Sequence, residues 1–272
     1  KQGDRLRITA QLIRVSDGFH LWSETFDGTD ADIYALQESI AKRVTSELKV
    51  ALDAGQQERL IDSGTDNPEA YALYLQATDI FNRRDGERFG QAVAQLQRAL
   101  ALDPGFARAY SRIGALQLLS PEYDDKDVAQ TLTDAIANAR RALELQPNLA
   151  EPHAVIALAL SQQTQYLAAR AEFDKALSID PNDLVSNLWY SVHLSVTGYQ
   201  RARAERLKHV LAIDPLLPNA LNHYGTTLEW QGDLGGARRE IERARALGAA
   251  NTDIFLAFVS LGQGRIEEAR TE

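Results

Sequence analysis

Cysteine and methionine are both absent from the 272 residues. Without cysteine there is no disulfide, no thiolate metal site and no cysteine nucleophile, and the redox compartment stays open because a cysteine-free chain tolerates either poise. Without methionine the chain lacks even an initiator, and it reads as part of a longer protein. Long apolar runs are missing too. Nothing approaches the roughly 18 uncharged residues of a membrane span, and no basic start leads into the short apolar stretch of a signal peptide. Basic residues are outnumbered, 29 Lys and Arg against 38 Asp and Glu, for a formal net charge of −9. That balance argues against bulk nucleic-acid binding by this segment. What is present is an ordinary globular composition, 44% hydrophobic and 25% charged. At roughly 150 residues per domain it suits two domains or one elongated array.

Signatures of catalysis and of metal binding are equally scarce. The five histidines, His20, His153, His193, His209 and His223, show no H-x-x-x-H or H-E-x-x-H spacing, so packing or solvent-facing roles are expected of them. Glu122, Asp124, Asp125 and Asp127 cluster without the alternating carboxylates, glycine and terminal glutamate of a calcium loop, and read as a solvated charge run. Gly262-Gln-Gly264 is two thirds of a dinucleotide glycine pattern but follows a helix rather than a strand, which fits a turn between helices. No catalytic residue, metal ligand or cofactor is expected.

The chain does contain one phrase written several times. ALALDP at 99–104, ALELQP at 142–147, ALSIDP at 176–181 and VLAIDP at 210–215 are followed by a degenerate ARALGA at 244–249. Their ends lie 43, 34, 34 and 34 residues apart. A 34-residue period closed by a helix-stopping proline resembles the tetratricopeptide repeat, a helix–turn–helix unit with ordered small and large positions. From Ala150 those positions fall on His153, Ile156, Ala157, Leu160, Ala169, Phe173, Ala176 and Pro181; from Pro218 they fall on Leu221, Tyr224, Gly225, Leu228, Gly232, Ala237, Ile241 and Ala244. The copy from Leu184 is weaker, with Arg203 in a small-residue slot. The copy from Ala107 carries nine extra residues around Ser120 to Gln130, expected to be a polar loop between helices. The repeats are read as 67–106, 107–149, 150–183, 184–217, 218–251 and an incomplete 252–272, whose Gly264 to Ala269 motif arrives two residues early.

The fold expected from that resemblance is mainly α, a right-handed α-solenoid in which each helix pair covers the apolar face of its neighbour. An incomplete last copy leaves Ile254, Phe255, Phe258 and Val259 to be covered by a further helix, a second chain or the remainder of the protein, so a homo-oligomer through this repeat is one expectation. The function implied is recognition of a protein or peptide by the concave surface. In the family the groove is lined by the first helix of each pair, which here implies Arg108, Ser111, Ala115, Ala154, Leu158, Leu188, Val192, Asn222, Thr226 and Trp230, among others. The basic clamp with which the best-known members hold a terminal carboxylate is missing. A largely apolar groove with one tryptophan suits a helix, the edge of a folded partner or a neighbouring segment; packing between adjacent repeats is the competing role for the same side chains. Arg201, Arg203, Arg206, Lys208 and His209, with Arg238, Arg239, Arg243 and Arg245 one repeat later, suggest either a basic ridge for an acidic partner or ordinary helix-surface ion pairs with Glu205, Glu240 and Glu242.

Residues 1–53 follow another rule. Leu6, Ile8, Ala10 and Leu12 alternate with Arg5, Arg7, Thr9 and Gln11, a half-buried strand. A turn at 16–18 returns the chain along Phe19 to Phe26, and Asp27 to Asp30 breaks it and caps a helix with the stripe Ile33, Leu36, Ile40, Val44 and Leu48. A hairpin and one helix are too little for a stable domain. The runs GDRLRITAQLI at 3–13, GFHLWSE at 18–24 and DIYALQE at 32–38 resemble the end of the amino-terminal domain of the Tol translocation protein B. The chain is thus expected to hold a partial α/β segment at 1–53, a linker at 54–66 and repeats from 67 to 272. In bacteria such segments occur behind a nucleotide cyclase or a winged-helix DNA-binding domain, often with a membrane span between. The resemblance implies a noncatalytic protein–protein interaction scaffold, the sensory or assembly region of a bacterial signalling or transcriptional regulatory protein, cytoplasmic or on the periplasmic side of a membrane anchor. The alternative is a small-ligand sensor domain of such a regulator.

Overall fold

The computed structural model describes residues 5–13, 20–29, 35–37, 39–40, 43, 63–122, 127–249 and 252–271. Two compact units emerge, residues 1–74 with 98–106 and residues 75–97 with 107–272. The division falls inside the first helix pair, and residues 54–62 of the expected linker lie outside the described residues.

In the first unit, β1 (Arg5–Ile13) pairs antiparallel with β2 (His20–Thr29). Ile8 stands opposite Phe26 and Leu6 opposite Gly28, with an irregularity at Leu12/Ile13. Leu6, Ile8 and Ala10 are half-buried while Arg7, Thr9 and Gln11 are exposed, the alternation a one-sided strand requires. The expected turn at 16–18 lies outside the described residues. Asp27 and Gly28 do not break the strand as expected. Arg7 Nε donates to Asp27 Oδ1 at 2.6 Å across the ladder, so the pairing runs on to Thr29. Gly28 has a packing reason: a Cβ there would stand 2.7 Å from Leu36 Cδ1, and Leu36 is buried. Residues 35–37, 39–40 and 43 are helical, whereas Ile33, Val44 and Leu48 of the expected stripe lie outside the described residues. Tyr71 Oη donates to Gln37 Oε1 at 2.9 Å, and Tyr74 packs on Phe106 with centroids 5.1 Å apart, which ties the ends of the first helix pair into this unit.

The remaining elements are helices in pairs: α1 (Pro68–Arg83) and α2 (Phe89–Leu102), α3 (Ala107–Leu119) and α4 (Val128–Leu145), α5 (Ala150–Gln162) and α6 (Tyr166–Ile179), α7 (Leu184–Val196) and α8 (Gln200–Ile213), α9 (Pro218–Trp230) and α10 (Leu234–Ala246), α11 (Thr252–Gly262) and α12 (Ile266–Thr271). From α3 onward each first helix packs on its own second helix, each second helix packs on the first helix that follows, and α3 meets α5, α5 meets α7 and α9 meets α11 directly. Small residues allow this. A Cβ on Gly114 would meet the Ala135 carbonyl oxygen at 2.9 Å, and one on Gly225 would meet Ile241 Cγ1 at 2.5 Å. Phe173, Leu207 and Ile241 fill the spaces between pairs without measurable exposure. The turn inside a pair needs one left-handed residue, and Thr164, Gly198, Gly232 and Gly264 supply it.

One expectation is corrected here, and the early arrival of Gly264 finds its reason. The nine extra residues of the second repeat are not all loop: Val128 to Gln130 are already helical, and α4 runs 18 residues against 14 in α6 and α8. Asp127 makes this extension stable by accepting from the N–H groups of Ala129 and Gln130. The early Gly264 reflects a shortened junction. α10 ends on Gly248 in the left-handed region, with Ala249 N–H bonded to the Ala244 carbonyl, where the preceding copies end on a proline.

Candidate functional site

The predicted groove positions do not share one environment. Ser111, Ala115, Ala154, Leu158, Leu188 and Asn222 are buried, Arg108, Val192 and Thr226 are half-buried, and Trp230 is 75% exposed. Burial follows from stacking, because the following helix pair lies against this face. Leu188, for example, packs with Leu207, Val210 and Ala220.

An open site lies at one end of α7 and α9 within the second unit. It is a cleft of about 600 Å³. Its floor is apolar, formed by Phe81, Leu184, Leu188, Trp189, Leu216 and Leu217, and its rim carries Asp79, Asn82, Arg83, Arg84, Asp214 and Asn219. Leu247, Gly248 and Ala249 of the shortened junction close one side. Of the predicted first-helix positions, Val185, Leu188 and Asn219 line it. The remainder arises because residues 79–84 of α1 and its end stand against α7. Phe81 meets Trp189 edge-on, with centroids 6.3 Å apart at 73°. A signal for the cleft does exist in the sequence: Leu216 and Leu217 follow Pro215 where the other copies place Gly105, Asn148 or Asn182 first, and Leu216 remains exposed.

Charged groups hold this wall. The Arg112 guanidinium lies 4.3 Å from the Phe81 centroid and Arg84 lies 5.0 Å from it. Arg112 Nη2 also donates to Glu151 Oε2 at 2.9 Å, with both side chains largely withdrawn from solvent. Burial pushes the Glu151 carboxyl up, and Arg112 opposes that shift. Asp183 is likewise raised by burial, against the hydrogen bond it accepts from Ser186 as the cap of α7. Arg83 is held at the rim by Asp79 at 2.9 Å.

Arg203 is buried, not part of a ridge. It donates through Nη2 to the His223 carbonyl at 3.3 Å and to Thr226 Oγ1 at 3.0 Å. Arg206 donates to Asn187 Oδ1 at 2.7 Å and lies over the Tyr190 ring at 4.5 Å. Lys208 pairs with Glu205 and Arg243 with Glu240 along their own helices. Of the basic cluster, Arg203 and Arg206 brace neighbouring helices, Lys208, Arg238, Arg243 and Arg245 form ion pairs, and Arg201, His209 and Arg239 stand exposed. His223, near Arg203 and Arg84, is pushed down to about 3, first by burial and then by the two cations. His153 Nδ1 lies 2.7 Å from Glu172 Oε2, and His193 Nδ1 lies 3.0 Å from Ser161 Oγ amid Tyr166, Phe173 and Tyr190. The His20 side chain and Asp124 and Asp125 lie outside the described residues. Among the described residues no three His, Cys, Asp or Glu stand together as metal ligands, and no helix is long and apolar enough to cross a membrane.

Residues 150–183 match the tetratricopeptide repeat family. The Rhizobium meliloti (strain 1021) protein named "Putative adenylate cyclase 3" is 31% identical over 162 residues, which cover 59% of this chain and 28% of that protein. The chain thus spans well under half the length of this relative. Among solved structures, PilW, a widely conserved type IV pilus biogenesis factor, aligns with a TM-score of 0.53 at 21% identity over 75% of this chain and 90% of its own. A thermophilic TPR protein of Thermus thermophilus aligns with a TM-score of 0.55 at 15% identity over 75% of this chain and all of its own. Such identities speak to fold. With the stacked helix pairs and the matched repeat, they establish the helical part of the chain as a tetratricopeptide-repeat α-solenoid.

Proposed function

We propose that this chain is the noncatalytic interaction region of a longer bacterial signalling protein, and that the cleft beside α7 and α9 receives an apolar segment of a partner protein. The cleft carries the reading: an apolar floor with a charged rim gives a partner side chain somewhere to be buried and polar groups to fix its direction. The repeat architecture supports it, since stacked helix pairs serve recognition. The signalling context rests on the cyclase name of the Rhizobium meliloti relative, and on the resemblance of residues 1–53 to the end of a Tol translocation protein B amino-terminal domain. In that context the output domain stands elsewhere in the full protein.

Leu216 is the residue to test, because it lines the cleft while remaining 62% exposed, so it can be changed without opening the interior. Peptides selected on residues 1–272 from a random display library are expected to share an apolar anchor. They should lose at least about tenfold in affinity, or about 1.4 kcal/mol, on Leu216→Asp. Trp230→Ala, at an exposed position that does not line the cleft, should leave them unchanged. Peptides indifferent to Leu216→Asp would remove the cleft from the reading. The cleft volume also falls in the range of small-molecule sites, about 300–1,000 Å³, which keeps the ligand-sensor reading as the second one.

A further inference from the structure

Behind the floor of the cleft one guanidinium faces two carboxylates. Arg112 of α3, itself buried, reaches Glu151 at the start of α5 at 2.9 Å, and Asp183, the cap of α7, stands close enough for its charge to act on both. The repeat does not require this cluster. At the Arg112 position the later copies carry Val155, Trp189 and His223, and at the Glu151 position the other copies carry Arg108, Val185 and Asn219. Each member of the cluster also ends on the cleft. Arg112 lies 4.3 Å from the centre of the Phe81 ring, and Phe81 meets Trp189 edge-on, so the ion pair backs two residues of the floor. Asp183 accepts from the Ser186 N–H and fixes the first turn of α7, whose Leu184 and Val185 line the same cleft.

We propose that Arg112, Glu151 and Asp183 form an acid-sensitive brace for the cleft: while both carboxylates are charged Arg112 is held on Phe81, and uptake of a proton frees Arg112 from the ring and weakens the hold on a partner segment. The proposal rests on the cleft being the binding site. Two withdrawn acids share one cation, so burial and like charge both favour the neutral form of one of them. Burial comes first in raising each carboxyl, Asp183 adds to the rise at Glu151, and Arg112 opposes it at both. Of the other groups facing the pair, Arg108 and Ser111 of α3 favour a charged Glu151, and Asp180 at the end of α6 disfavours a charged Asp183. The remaining charges are engaged elsewhere: Arg141 with Glu144 on α4, Lys175 and His153 with Glu172, Arg170 with Asp174 on α6, and Asp79 with Arg83 on α1, where Arg84 also lies on the Phe81 ring. On α7, Tyr190 donates to Asp174 and His193 is bonded to Ser161. Acid acts locally here. A carboxyl raised by burial takes its proton more readily in the folded chain than in the unfolded one, so from these two groups stability rises as pH falls through the raised range. The guanidinium keeps its charge throughout, and solvent competes for it once its counter-ion is neutral.

The floor can be read without any peptide. The chain has three tryptophans, and Trp22→Phe with Trp230→Phe leaves Trp189, in the floor, as the single reporter. In residues 1–272 of that background, acrylamide quenching of Trp189 should rise at least about twofold in one step as pH falls from about 8 to about 4.5, with helical circular dichroism unchanged. Glu151→Gln removes the charge at nearly constant shape, so quenching should be raised already at the upper pH and most of the step lost. Asp183→Asn keeps the cap of α7 but removes the second negative charge, so the step should move down by at least about half a pH unit. A merely structural role would not give that shift, and it decides the matter even if Glu151→Gln does not fold. No step, a step that survives in a folded Glu151→Gln, or a step that Asp183→Asn leaves in place or moves up would each overturn the brace. Peptides that depend on Leu216 should lose at least about tenfold in affinity across the same pH step, and not in Glu151→Gln. A step with unchanged affinity would overturn the coupling and leave the cleft reading standing. Failure to obtain Leu216-dependent peptides would remove the cleft reading, and with it the brace as a control on binding, whatever Trp189 shows.

Discussion

Arg203 stands where the flanking repeats place Ala169 and Ala237, both fully buried. An arginine in a slot made for a methyl group has to send its charge elsewhere, and this one reaches α9 to donate to the His223 carbonyl and Thr226 Oγ1. Burial lowers its own proton affinity, and its cation, with that of Arg84, joins burial in holding His223 down to about 3. The sign follows from the ordinary value of 6.5. Above pH 6.5 the folded and unfolded chains both carry neutral His223, so this source of stability is fully present; as pH falls toward 3 the unfolded chain takes a proton that the folded chain refuses, and stability is lost. By about pH 5 the loss from this group is about 2 kcal/mol. Chemical denaturation at about pH 7 and about pH 5 should therefore show a smaller drop in His223→Gln than in the parent, by about that amount. An equal drop would mean that His223 titrates normally. The sequence showed Arg203 as a departure from the repeat pattern and suggested a surface ridge or ordinary helix-surface ion pairs; the carbonyl and hydroxyl that accept its hydrogen bonds belong to the next repeat, which no local pattern reveals.

At the scale of elements, the period was legible because it is written in backbone-limited positions. Gly114 and Gly225 occupy equivalent places in α3 and α9, yet what surrounds them differs. The nearest atom to an added Cβ on Gly225 is Ile241 Cγ1 at 2.5 Å, a side chain that can move or be shortened, with the Ala237 carbonyl oxygen farther off at 3.1 Å; on Gly114 the nearest is the Ala135 backbone carbonyl at 2.9 Å, which is fixed in α4. Gly225→Ala and Gly114→Ala should each cost about 1–3 kcal/mol through overpacking, after the gain in helix propensity. The two should then part company. Ile241→Ala, which removes Cγ1 and Cδ1 together, should cost less in the Gly225→Ala background than in the parent, recovering a measurable part of the clash in a double-mutant cycle, whereas Val155→Ala, which relieves only the 3.2 Å neighbour of Gly114, should not. Recovery in both, or in neither, would show that the contacts at the two glycines are of one kind. What the sequence hid at this scale was equally physical. Asp27 and Gly28 look like a strand breaker, but a cross-strand ion pair with Arg7 carries β2 to Thr29. The polar insertion looks like a loop, but Asp127 caps its end as an extension of α4.

Across the second unit, residues 107–271 form an array in which each helix pair leans on its neighbours, so a local loss should remain local. The groove positions illustrate the same rule: Ala154 and Leu188 are buried because a following helix pair exists, and Ile254 and Phe258 are open because α11 has none among the described residues, a difference that comes from neighbours and not from residue type. Ile241 is the place to test this. It is fully buried, faces Gly225 within its own pair, and shares a cluster with Leu256 and Val259 of the next. Ile241→Ala should cost about 2–5 kcal/mol in the pairs it joins. In native-state hydrogen exchange, amides of α9 to α12 should lose protection by that amount, while amides of α3 to α6, in pairs that do not adjoin Ile241, keep theirs within a few tenths of a kcal/mol. A single-domain core would behave differently, since every amide protected by global unfolding would lose the same free energy wherever it lies. Uniform loss from α3 to α12 would therefore refute the nearest-neighbour account.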